Sequence, residues 1–155
     1  MSVELDFLVE AVKGLDLSEY SVIASGTTVR DAVNTMCSDA HNCSLIVLDD
    51  QIVGIFTDRD VLHKVVDQPK VWDQPVDEVM SPQPLTVNGS QLASDALRIM
   101  DEQRMRNLPV VSEEGEIIGN LTHFGIIRYL ADLFPKEVYN LPPTPDHYGK
   151  QRHGG

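Results

Sequence analysis

The chain has 155 residues, 42% of them apolar, and a formal net charge of −12. That length allows one domain or two small ones sharing an interface, and the apolar fraction suits a buried core, which excludes a disordered polyelectrolyte. The acidic excess argues against nucleic acid and anionic membrane surfaces as partners, because such a chain gains no counterion release there.

Taken in order, residues 1–20 open on an acidic stretch, Met1-Ser2-Val3-Glu4-Leu5-Asp6, without the basic start of a secretory leader. No apolar run is long enough to span a bilayer. Two cysteines, Cys37 and Cys43, make no disulfide framework, so the expectation is a soluble, cytoplasmic protein of a reducing compartment. Leu5, Leu8, Val9 and Val12 predict an N-terminal amphipathic helix.

Residues 21–67 read as strand, helix, strand, turn, strand, helix. A short strand lies at Val22-Ile23. Val29, Ala32, Val33 and Met36 have the i, i+3, i+4, i+7 spacing of a helix face. Leu45-Ile46-Val47 and Ile52-Val53-Gly54 are buried-strand patterns on either side of Asp49-Asp50. Val61, Leu62, Val65 and Val66 form the face of a second helix. Residues 68–84 read as a linker, broken by Pro69, Pro75, Pro82 and Pro84, with Trp72 packing back onto the fold.

Residues 85–134 then repeat the pattern. After the short strand Thr86-Val87, the stripe Ala93, Ala96, Leu97, Met100 follows the first stripe at 93 − 29 = 64. Pro109-Val110-Val111 keeps that offset. The turn Ser112-Glu113-Glu114-Gly115 is one residue longer, so Ile117-Ile118-Gly119 follows at 117 − 52 = 65. Thr122 falls on Thr57, and Ile126, Ile127, Leu130, Leu133 and Phe134 form the last helix face. Such a repeat implies an α/β (α+β) fold of two β-α-β-β-α units packed by a pseudo-twofold, each too small to bury a core alone, with a cleft where the sheets meet. Residues 135–155, with Leu141-Pro142-Pro143-Thr144-Pro145, read as an extended proline-rich tail.

The segment Gly54-Ile55-Phe56-Thr57-Asp58-Arg59-Asp60 carries the candidate chemistry. A strand ends and a helix begins, with Thr57 at the N-cap. N–H groups of the first turn suit a phosphate, and Asp60 can accept two hydrogen bonds from a ribose diol. Apolar strand ends would supply a slot for a base. Thr57 and Asp60 equally make a capping box that needs no ligand. Cys37, His41 and Cys43 could hold a soft metal, but no fourth ligand is near, and small core packing accounts for the thiols. No nucleophile elbow, lysine-bearing phosphate loop or helical His-Glu zinc motif is present.

The tandem Gly-hydrophobic-x-Thr-x-x-Asp segment closing a β-α-β-β-α unit resembles the signature of cystathionine β-synthase-type (CBS) domain pairs. Met80-Ser81-Pro82 and Arg106-Asn107-Leu108-Pro109-Val110-Val111 add to the likeness, which runs from Val22 to about Phe134. The resemblance implies a non-catalytic regulatory module that binds an adenosine nucleotide. It marks Thr57 and Asp60 for phosphate and ribose. Asp58 and Arg59 flank them, and Asn42, Ser44, Val22 and Ile23 are expected as pocket lining. In the second copy Gly125 stands at the aspartate position, which implies a weaker site built on Thr122, Arg106, His123 and Pro109. Surface solvation is the alternative for Arg106 and His123, and Gly125→Asp is expected to supply the missing carboxylate. The resemblance further implies a homodimer burying the second helices near Val66 and Leu130, and a partner protein that reads occupancy. AMP is expected over ATP, because only Arg59 and Lys64 stand near the first site in sequence, with Arg104, Arg106 and Arg128 unassigned to it. No cofactor or metal is expected. A ligand-free scaffold and a nucleotide-acting enzyme are the rival readings.

Overall fold

The computed structural model describes residues 7–138, and their side chains as far as Leu133. The first repeat runs β1 (Ser21–Ala24), α1 (Val29–Asp39), β2 (Cys43–Leu48), β3 (Gln51–Thr57) and a short α2 (Asp58–Asp60) that continues as a π-helical turn, Val61–Val65. After β4 (Ser81–Pro82), the second repeat runs β5 (Val87–Asn88), α3 (Ala93–Glu102), β6 (Asn107–Val111), β7 (Ile117–Thr122) and α4 (His123–Val138). Two sheets result, in the orders β1-β2-β3-β4 and β5-β6-β7.

The repeat extends to the hydrogen-bond register. β1 pairs parallel to β2, as β5 does to β6, and each second strand pairs antiparallel to the third. Each antiparallel ladder slips once, between Ile46 and Val47 and between Val110 and Val111, and 110 − 46 = 64. Ala40 and Arg104, also 64 apart, both take left-handed backbone conformations just past the first helices. The turns differ by chemistry. Asp49 and Asp50 both have positive φ, 50° and 60°, as a two-residue hairpin turn with strand-matching twist requires, whereas the longer second turn uses Gly115 at φ 85°.

Each repeat has its own core. Ile23, Val29, Ala32, Met36, Ile46, Phe56 and Val65 fill the first; Val87, Ala93, Ala96, Met100, Leu108, Val110 and Leu121 fill the second. Both are completed by crossing segments. Phe7, Val12, Leu15 and Leu17, which precede the first repeat, pack into the second core, while Val76 and Val79, which precede the second repeat, pack into the first. The two crossings match bond for bond. Val12 N–H donates to Gln91 O at 2.8 Å and Val76 N–H to Thr27 O at 2.7 Å; Ala93 N–H donates to Glu10 O at 2.8 Å and Val29 N–H to Gln74 O at 2.9 Å.

The structure corrects three expectations. The segment 1–20 is not one amphipathic helix through Leu8, Val9 and Val12: residues 7–9 are helical, Val12–Gly14 form a 3-10 turn, and residues 16–20 are irregular, with Leu8 and Val9 exposed. Leu5 lies outside the described residues. Residues 68–84 are structural as well as connecting, since Ser81–Pro82 adds a strand to β3 and Val76 is fully buried. Trp72 does pack on the first core, with the Arg30 guanidinium 5.8 Å over its ring. The last helix runs on to Val138 instead of giving way to a tail after Phe134; the tail from 139 onward lies outside the described residues.

Candidate functional site

β3 delivers Thr57 to the mouth of the cleft, where the Asp58 N–H donates to Asn42 O at 3.0 Å and ties the end of β3 to the start of β2. Thr57 and Asp60 form a capping box. The Asp60 carboxylate, 8% exposed, accepts from the Thr57 N–H at 3.0 Å and from its hydroxyl at 3.4 Å. Its other oxygen pairs with Lys64 Nζ at 3.0 Å, and that ammonium also donates to Val79 O at 2.8 Å. Capping is therefore real, and it presents a fixed, charge-balanced carboxylate at the end of the strand.

A cavity of about 610 Å³ opens beside it. Thr57, Asp58, Arg59, Leu62 and His63 line it from the first repeat, Ser81 and Pro84 from the crossing segment, and Arg104, Met105, Arg106 and Asn107 from the second repeat. A recess of about 300 Å³ continues toward Asp60 and Lys64 past Thr57 and Arg59. The two halves thus bring Arg59, Arg104 and Arg106 to one opening. The sequence-based expectation that cations are scarce at this site is corrected, because Arg104 and Arg106 of the second repeat line the same cavity as Arg59.

A second cavity, about 480 Å³, adjoins the first through Asp58, Arg106 and Asn107. Thr122, His123, Phe124 and Arg128 line it with His41, Asn42 and Cys43 of the first repeat and with Glu19. Thr122 Oγ1 accepts the Gly125 N–H at 2.9 Å, the same N-capping bond that opens a helix elsewhere. The hydroxyl donates to Glu19 Oε2 at 3.2 Å. Arg128 bridges Glu19 and Asp16, at 3.1 Å to the latter, and these carboxylates, Glu19 above all, raise its pKa. Asp16 is held below the usual aspartate range by the Ser18 hydroxyl and N–H and then by Arg128.

Several expected residues land elsewhere. Asn42 lines the second cavity, not the Thr57 cavity. Val22 faces a separate hollow with Val47, Asp50, Glu116 and Ile117. Ile23, Ser44 and Pro109 are buried and line none of these cavities, because β1 alternates between core and surface and β2 and β6 are covered on both faces. An aspartate at 125 is not simply missing: a Cβ there would sit 2.8 Å from the Asp16 carbonyl oxygen, so a side chain at this position requires the Asp16 segment to shift. Near Val66, Leu62 and Val66 are exposed as expected, but in the second repeat the exposed pair is Phe124 and Ile127, while Leu130 packs on the core.

Cys37 is exposed and Cys43 buried, and among the described residues no three His, Cys, Asp or Glu side chains are placed to share a metal. The Cys43 thiol is pushed up to about 12, by burial first and then by Asp58 and Asp60. Ser21, Asp39 and His41 come together, but Ser21 Oγ donates directly to Asp39 at 2.6 Å, with His41 Nδ1 at 3.3 Å, so the imidazole does not stand between acid and hydroxyl as nucleophile activation needs. The sequence alone did not single out Glu19, Asn107, Phe124 or His41 as lining. Glu19 lies more than one hundred residues from Thr122, and no local spacing connects them.

The model of one protein family, the CBS domain, matches residues 12–67 and 76–132. The matched stretches begin at Val12 and Val76, in the two crossing segments, again 64 apart. The chain is 36% identical over 112 residues to the CBS domain-containing protein CBSCBSPB1 of Arabidopsis thaliana, covering 71% of this chain and 20% of that one, so it spans about a fifth of that relative's length. It is 27% identical over 132 residues to the CBS domain-containing protein YhcV of Bacillus subtilis, covering 84% and 87% of the two chains. Among solved structures, CBSX2 in complex with AMP superposes with a TM-score of 0.68 at 27% identity, covering 81% of this chain and 98% of that one. Among the described residues no helix is long and apolar enough to cross a membrane.

Proposed function

The chain belongs to the CBS-domain family, and from that premise we propose that it is a non-catalytic regulatory module that binds an adenosine nucleotide, AMP foremost, between its two repeats. One observation carries the reading. Thr57, Asp58 and Arg59 of one repeat and Arg104 and Arg106 of the other surround a single cavity of about 610 Å³, the size of a small-molecule site, with the buried Asp60 in the adjoining recess. Arginine forks and the Thr57 hydroxyl suit phosphate oxygens, and the fixed Asp60 carboxylate suits a diol.

The preference for AMP rests on the solved relative that holds AMP. Charge at the opening does not separate one phosphate from three, since three arginines meet there. Occupancy would fix the packing of one repeat against the other, and a partner protein in the cytoplasm would read that change. The exposed Leu62, Val66, Phe124 and Ile127 are the surface we assign to a homodimer.

A thermal-shift panel of AMP, magnesium-free ATP, S-adenosylmethionine and NADH at matched ionic strength tests the reading. A ligand at a hundredfold over its dissociation constant stabilises the fold by about 2.7 kcal/mol. An adenosine ligand shifting the melt by several degrees supports the module. No shift with any of them leaves the scaffold reading, and turnover of a nucleotide would make it an enzyme.

A further inference from the structure

Granting that reading of the first cleft, we propose that Glu19 is the diol-binding carboxylate of the second one, making it a second nucleoside-phosphate site completed by the N-terminal crossing segment. The two clefts have the same parts in different places. In the first, Asp60 accepts from Thr57 Oγ1 at 3.4 Å and pairs with a cation of the following helical turn, Lys64. In the second, Glu19 accepts from Thr122 Oγ1 at 3.2 Å and pairs with a cation of the following helix, Arg128.

The exchange of position follows from the crossing. Asn120 N–H donates to Leu17 O at 3.0 Å, and Asn120 Nδ2 donates to Glu19 O at 3.2 Å, so the chain from Leu17 to Glu19 is fixed along β7. The same segment puts the Asp16 carbonyl where a side chain at 125 would go. What excludes an aspartate from α4 therefore delivers a glutamate from the other direction. Gln83, at 83 − 19 = 64, is the matching residue of the other crossing segment and is neutral. Each threonine hydroxyl thus donates to one carboxylate, drawn from the helix in one case and from the crossing segment in the other. Arg106 at the shared wall and Arg128 beside Glu19 supply the anion-binding side of the second cavity.

Calorimetric titration of the full chain with AMP and with 2′-deoxy-AMP tests this. Wild type should take two equivalents of AMP. Glu19→Gln keeps an acceptor for Thr122 and should weaken the second equivalent by about 10- to 100-fold, the loss expected for hydrogen bonds to a charged acceptor. In wild type the second equivalent should prefer AMP over 2′-deoxy-AMP, and that preference should vanish in Glu19→Gln, a change that mere loosening of the segment would not produce. Asp60→Asn should weaken the other equivalent alone. Saturation at one AMP with Asp60→Asn abolishing it would overturn this inference and leave the first-cleft reading standing. A second equivalent that is unchanged or tighter in Glu19→Gln or Glu19→Ala would overturn it too, the tighter case making Glu19 a plug. No AMP binding at either cleft would overturn the first-cleft reading and this one together.

Discussion

At the scale of single residues, environment separates side chains that composition treats alike. Cys37 is exposed, while Cys43 is buried with a thiol pushed up to about 12. Only thiolate reacts quickly, so iodoacetamide at neutral pH should modify Cys37 and leave Cys43 until the protein unfolds. Mass spectrometry of the peptides checks this, and equal labelling in the native state would contradict it. A raised folded pKa means that the stabilising effect of the neutral Cys43 is complete below the unfolded thiol value of 9.0 and fades as pH rises toward 12. Asp77 behaves in the opposite sense. Burial pushes its carboxyl up, but the Ser25 hydroxyl at 2.5 Å and the Gly26 N–H at 2.7 Å more than offset that, leaving it below 3.8. Its contribution is therefore intact above about pH 4 and lost as pH falls below that value. Asp77→Asn should shallow the acid limb of a stability–pH curve and lower stability at pH 7. An unchanged acid limb would show that the turn at Ser25-Gly26 does not depend on this carboxylate.

At the scale of elements, two apolar periods and one offset were enough to read the strands, the helices and their order. Even the β-bulges fall at matching places, since the pairing rules are local and both copies obey them. The crossing of the segments before each repeat was not legible. Leu8 and Val9 had the right spacing for a helix face, yet Phe7, Val12, Leu15 and Leu17 are the residues buried, because a helical stretch that ends at residue 9, a 3-10 turn and a non-helical run tied to β7 select a different set from one continuous helix. Leu15→Ala and Leu17→Ala should each cost about 2–5 kcal/mol, the range for emptying a packed core site. Hydrogen exchange should then speed up in β5–β7 before it does in β1–β3. Faster exchange in the first repeat would contradict the crossing. Gly125→Asp should destabilise the fold through contact with the Asp16 carbonyl instead of adding a binding site, which a lowered melting temperature without gain in AMP affinity would record.

At the scale of the whole molecule, the acidic net charge says little about the cleft. Arg59, Arg104 and Arg106 meet at one opening although the chain carries −12 overall. Thr57 and Asp60 could be read from the signature, because a strand end, an N-cap and a carboxylate three residues later are local. Arg104 could not be placed by sequence, because its position depends on how one repeat faces the other. Ile23 and Ser44 were misplaced for a different reason: both stand near strand ends in sequence, but Ile23 packs into the first core and Ser44 lies on the inner strand β2, which is covered on both faces. The central claim is that Asp60 holds the ligand in the Thr57 cleft, and calorimetric titration of AMP into wild type and Asp60→Asn tests it most directly. Loss of diol hydrogen bonds to a charged acceptor should weaken the first-cleft affinity by about 2–4 kcal/mol. An Asp60→Asn variant that stays folded and binds AMP in that cleft as tightly as wild type would contradict the account.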